Sequence, residues 1–197
     1  MTAILKVDTI QDTSGNNIIN ESSNTITIGK SGDAVNLASG ATNNLGITEA
    51  DQFRLTADLT ANADPISSNL ERVDDATFSK IGTGMSLSSG IYTFPVTGLY
   101  LVSSNTSVSY SGSDNAIIEV YASSDSGSSF DLLVKTISGT STAGVTNSMT
   151  SSNFVNVTNA STFRIKFAAA SVTNANIQGV SGYNRTYFTF IRLGDSQ

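Results

Sequence analysis

The chain has 197 residues, a formal net charge of −6, and neither cysteine nor histidine. Without Cys there are no disulfides, thiolate metal sites or thiol nucleophiles, and without His the usual general base and the Ser-His-Asp arrangement are missing. The ten Lys and Arg residues are scattered, so no basic run exists to grip a phosphate backbone, and nucleic acid is not an expected partner.

The opening stretch, "MTAILKVDTIQDTSG", lacks a basic segment followed by a long apolar one. Neither a secretory signal nor membrane insertion is expected. Apolar pulses then recur at Ile4–Val7, Ile18–Ile19, Ile26–Ile28, Val35–Leu37 and Leu45–Ile47, separated by turns at Gly15, Gly29, Gly32, Gly40 and Gly46. Each pulse is too short for a stable helix or for a core of its own. Two readings stay open for residues 1–50. They form a stem of stacked strands completed by other copies, or a leader that becomes ordered on a partner. Either way the segment is an attachment device.

Near residue 50 the pattern changes. Phe53, Leu55, Ala57 and Leu59 alternate with Arg54, Thr56 and Asp58, the period of a half-buried strand. An irregular edge segment follows over 70–82. Strands are predicted over 91–96, 98–110, 115–123, 130–138, 153–159, 163–170 and 187–193. Pro95 marks an edge or a strand end, because proline donates nothing to a ladder. The run 98–110 puts Tyr100, Val102, Ser104, Thr106, Val108 and Tyr110 on one face. No segment has the period of an amphipathic helix of three turns. Eight or nine short strands with turn-rich joints predict an all-β antiparallel sandwich over 51–197.

The stretch "FSKIGTGMSLSSGIYTFPVTGLYLVSSNTSVSY" resembles the early strands of the C1q/TNF-like jelly roll, and "NRTYFTFIRLGDS" resembles its last strand. The cysteine of some C1q domains and a collagen-like stem are both absent. The leader, "ILKVDTIQDTSGNNII" with "TITIGKSGDAVNLASGAT", is similar to the start of structural proteins from tailed bacteriophages of marine and cyanobacterial hosts. Together these resemblances imply a homotrimeric virion protein. Residues 1–50 would attach to another virion protein of the tail or capsid, and 51–197 would form a C1q-like jelly-roll head. A tail fibre engaging a host surface glycan or protein, and a capsid fibre or decoration protein, are both consistent with them.

A trimer needs one dry strip per subunit, and aromatic side chains supply area at low entropic cost. Phe94, Tyr100, Tyr187, Phe188 and Phe190 are the interface candidates, although in a sandwich half of such residues point into the subunit's own core. Long polar loops at 110–115, 123–129, 138–152 and 171–185 suit recognition. Tyr183, Asn184 and Arg185 are the recognition candidates there: a ring, an amide and a guanidinium in sequence. Asp74-Asp75 and Asp125/Asp131 match no calcium loop, so no metal or cofactor is expected. No acid/base constellation is legible, and the chain is not expected to be an enzyme.

Overall fold

A computed structural model describes residues 9–11, 13–14, 17–22, 25–28, 32 and 46–197. The chain divides into two units, Met1–Asn44 and Leu45–Gln197. In the first, β1 (Thr9–Gln11), β2 (Asn17–Ser22) and β3 (Thr25–Ile28) form an antiparallel sheet in that order. Ile19 pairs with Ile10 on one side and Ile28 on the other. The expected pulses at Ile18–Ile19 and Ile26–Ile28 thus fall in strands. Those at Ile4–Val7 and Val35–Leu37 lie outside the described residues.

The second unit holds β4 (Ala50–Leu55), β5 (Leu70–Arg72), β6 (Ser86–Ser88), β7 (Ile91–Thr93), β8 (Gly98–Tyr110), β9 (Asp114–Ser123), β10 (Asp131–Thr140), β11 (Thr146–Val157), β12 (Arg164–Ala170), β13 (Ala175–Ile177) and β14 (Tyr187–Gly194). They form two antiparallel sheets. One runs β10-β9-β12-β7-β6; the other runs β11-β8-β14-β4-β5, with β13 joining β8 at Val108–Tyr110. This winding, in which sequence-distant strands become neighbours, is the expected jelly roll.

The core forms where the period-2 pattern turns apolar residues inward. Along β8 burial alternates without a break, and Tyr100, Val102, Val108 and Tyr110 are all buried. Their inward side meets an aromatic cluster. Phe188 stacks on Phe167 at 3.9 Å, and Tyr92 packs against Phe53, Phe167 and Phe190 with centroids 5.0–5.7 Å apart. Such pairs contribute beyond their buried area.

The sandwich has more strands than expected, and the differences have physical causes. The segment 138–152, read as a loop, is mostly strand, because β10 runs to Thr140 and β11 starts at Thr146. Its inward positions include Ser151, whose hydroxyl meets that of Ser104 at 2.8 Å inside the core. A mutually satisfied pair of hydroxyls replaces the apolar side chain that a pattern search looks for. The short β6 and β13 carry too few residues to show any period.

The two flanks of the sandwich are closed differently. On one, the β4–β5 connection pairs with both sheets. Leu59 exchanges backbone hydrogen bonds with Ile177 of β13, Ala63 does the same with Ala169 of β12, and the Ile66 N–H donates to the Phe167 carbonyl. Gly179 lies so close to Ala57 that a Cβ would run into the Ala57 carbonyl. On the other flank β10 and β11 are edge strands joined by a turn at 141–145, and no backbone ladder links them among the described residues.

Register also orients the ends. Ile191 pairs with Ala50 and Leu101, while Tyr187 pairs with Arg54 and Asn105. Ala50, Gly98, Val157 and Leu193 therefore lie at one end. At the other lie the connections 56–69, 111–113, 141–145 and 171–186.

Candidate functional site

The outward face of the six-stranded sheet is built by the residues that alternate with the core side chains, although Ala50 and Arg54 on it are also buried. Three rows cross it in register. The first is Phe154–Leu101–Ile191–Ala50, the second Ser152–Ser103–Thr189–Gln52, and the third Thr150–Asn105–Tyr187–Arg54. The first row is apolar throughout. Phe154 is 69% exposed, and Leu101 and Ile191 are half-buried. The other rows are hydrogen-bonded and uncharged up to Arg54: Thr150 donates to Asn105 (2.9 Å), and Gln52 donates to Thr189 (2.8 Å). Arg54 is buried beside Glu71, with Nε–Oε1 at 2.6 Å. The face thus offers an apolar band and a neutral polar band, with its cation already neutralised.

Of the five aromatic interface candidates, only Tyr187 lies on this face, half-buried. Phe94, Tyr100, Phe188 and Phe190 are core residues, each no more than 2% exposed within the single chain. In the single chain they leave almost no surface for a second copy. The pleat decides it: Tyr187 and Phe188 are adjacent and face opposite ways. The apolar row itself was missed, because Leu101, Phe154 and Ile191 are distant in sequence and align only through strand register.

Tyr183, Asn184 and Arg185 differ in exposure and partners. Tyr183 is 59% exposed, Asn184 turns back to donate to Gln52 Oε1 at 2.6 Å, and Arg185 is half-buried. Asn184 thereby ties this loop to the polar band of the sheet face. The Asn184 Oδ1 is buried without a partner.

The end bearing the β4–β5 connection is laced together. Asp58 Oδ1 accepts the Gly179 N–H and Asn62 Oδ1 accepts the Val172 N–H, both at 2.8 Å. Asp114 Oδ2 accepts the N–H groups of Asn174 and Thr173 at 2.5 and 3.2 Å. These bonds, that to Asn174 foremost, hold the Asp114 carboxyl below its ordinary range. The predicted loop at 123–129 belongs to the opposite end. There Asp125 accepts the Ser129 hydroxyl and N–H and the Ser123 hydroxyl, which depress its pKa and close a turn. Asp75 likewise accepts the Thr77 hydroxyl and the Thr77 and Phe78 N–H groups. Among the described residues no group of three acidic side chains converges on a metal-sized site.

A second charged assembly lies on the outward face of the five-stranded sheet. Lys166 Nζ sits 4.8 Å from the ring centroids of both Tyr121 and Phe130 and 2.6 Å from Asp64 Oδ1. Tyr121 donates to Glu119, which pushes the phenol up to about 12 and lowers the carboxyl. Glu119 also pairs with Lys135 at 3.1 Å. Every charge here has its partner within the chain.

The fold has known counterparts. An Eiger TNF from S. frugiperda superposes with a TM-score of 0.61 at 13% identity, over 77% of this chain and 96% of that one. Murine APRIL at pH 5.0 gives 0.55 at 14%, and at pH 8.5 it gives 0.53 at 15%; both cover 74% of this chain and 98% of theirs. No protein-family profile matches the chain, and no curated protein does. The likeness establishes a C1q/TNF-like jelly roll.

Proposed function

We propose that this chain is a non-enzymatic structural protein of a tailed-bacteriophage virion, a homotrimeric fibre or spike component of the tail. Residues 1–50 attach it to another virion protein, and the jelly-roll head serves host-surface adhesion or fibre assembly. The observation that carries the self-association is the row Phe154–Leu101–Ile191, a partly exposed apolar band on an otherwise neutral sheet face. Single exposed apolar residues are ordinary; a band aligned across three strands marks a contact surface.

The open flank offers a second apolar surface, with Ile137 57%, Leu132 48% and Leu133 37% exposed on β10. Face and flank are different surfaces, so copies joined face to flank form a heterologous contact, which closes into a ring when the rotation permits. Many weak contacts presented by such a ring gain avidity. The phage context is supported by the leader's resemblance.

Sedimentation analysis of the full chain tests the assembly. A trimer is expected for the native protein, and a folded monomer for Leu101→Glu, which puts a charge in the apolar band. A native monomer at micromolar concentration would sink the reading. Immunogold microscopy of virus particles with antibody against residues 51–197 tests the location. Label on the tail is expected, label on the capsid would make the chain a head fibre or decoration protein, and no label would remove the virion assignment.

A further inference from the structure

Within the laced end, the β4–β5 connection curls around an open pocket of about 250 Å³, lined by residues 58–63 with Ser68 and Asn69. Its rim is held before any ligand arrives. Leu59 and Ala63 are pinned by paired backbone hydrogen bonds to Ile177 and Ala169, and the Thr56 N–H donates to the Asn69 carbonyl across the base of the curl. A wall already ordered pays little entropy on binding.

The chemistry of the wall narrows the occupant. Asp58 spends Oδ1 on the Gly179 N–H and keeps Oδ2; Asn62 spends Oδ1 on the Val172 N–H and keeps its amide donors. Among the described residues the side chains of Thr60, Ser68 and Asn69 make no hydrogen bond. Between these groups lies the exposed carbon surface of Ala61, with half-buried Ala63 beside it. Among the described residues no Lys or Arg lines the pocket, and Asp58 repels anions, so phosphate, sulfate and acidic sugars are disfavoured. A single carboxylate is too few ligands for a calcium ion. Alternating hydroxyl-binding groups and carbon surface, with one acceptor of strong charge, suit a ring that alternates C–H and O–H.

We propose that this pocket is a binding subsite for one neutral sugar ring, with Asp58 Oδ2 accepting from a sugar hydroxyl and Asn62, Thr60 and Ser68 completing the hydrogen bonds. The assignment deepens the display reading and rests on it for the origin of the ligand. Its test reads the pocket alone, so self-association and particle location stand or fall by their own measurements.

The experiment is saturation-transfer NMR on the full chain, with galactose, glucose, mannose and N-acetylglucosamine as probes and N-acetylneuraminate and inorganic phosphate as anionic controls. Transfer to at least one neutral sugar at millimolar concentration is expected. It should vanish in Ala61→Trp, which fills the pocket from an exposed position, and persist in Tyr183→Ala. Ser68→Ala, which removes a hydroxyl with no internal partner, should weaken transfer and gives a second reading should the larger substitution disturb folding. The proposal is overturned by transfer to no neutral sugar, by transfer to the anions alone, by an undiminished signal in both pocket variants, or by loss of signal in Tyr183→Ala.

Discussion

The two flanks of the sandwich solve one problem in opposite ways. Where the 59–66 segment pairs with β12 and β13, backbone donors and acceptors are consumed, and Leu59 and Ile66 are buried at 7% and 1%. Where β10 and β11 end their sheets, ten- and twelve-residue edges have no ladder partner among the described residues, and Leu132, Leu133, Ile137 and Phe154 remain exposed. A free edge invites another chain. Here the register shift between Leu132 and Val134 and the charge of Lys135 blunt it, which favours side-chain packing over ladder extension. Closed and open edges are thus assigned to separate flanks of one small domain.

The sharpest way to break this contrast is a matched pair of truncations. Leu59→Ala on the closed flank removes a buried anchor of the pocket-bearing connection, and a loss of about 3 kcal/mol in urea unfolding is expected. Next in size is the acid dependence of the lacing. Asp114 has a lowered folded pKa, so its contribution is complete above the ordinary carboxylate range of about 4 and is lost as pH falls through the folded value. Thermal melts from neutral to acidic pH should therefore show a shallower acid limb in Asp114→Asn than in the native chain. The smallest effect belongs to the open flank: Ile137→Ala should change unfolding by no more than about 0.5 kcal/mol while weakening assembly in sedimentation. Equal losses from Leu59→Ala and Ile137→Ala would erase the distinction between the flanks.

How much of this is legible in the sequence depends on where each constraint lives. The alternation of Tyr100 through Tyr110 is local, and it predicts β8 to the residue. Pro95 and Gly98 likewise bracket the joint before it, where the Tyr100 hydroxyl donates to the Val96 carbonyl at 3.0 Å. By contrast, β11 is written largely in Ser, Thr and Asn, whose strand character comes from pairing with β8 and not from their own propensity. The apolar row of Phe154, Leu101 and Ile191 exists only once three strands are in register. The pocket is less visible still, since it depends on a connection whose anchors, Ile177 and Ala169, lie more than a hundred residues away.

The buried carboxylates near the chain's entry into the head mark another non-local feature. Glu49 accepts the N–H groups of Thr83 and Gly84, and Asp51 accepts that of Met85 at 2.7 Å while pairing with Arg72 at 3.0 Å. A Cβ at Gly84, where φ is +73°, would press on the Asp51 carboxylate. The pattern "GTGM" reads as a plain turn until the two acids that organise it are placed beneath it.

The position of β4 has a mechanical consequence. It enters at Ala50 and points toward the end that carries the pocket, with β14 along one edge and β5 along the other. A pull applied at Ala50 against something gripped at that far end acts along the strand. The hydrogen bonds from Arg54–Tyr187 to Ala50–Ile191 are then loaded together in shear, so several must rupture at once, whereas a pull across the strand would peel them singly. The head therefore resists a pull along β4 better than a pull across it.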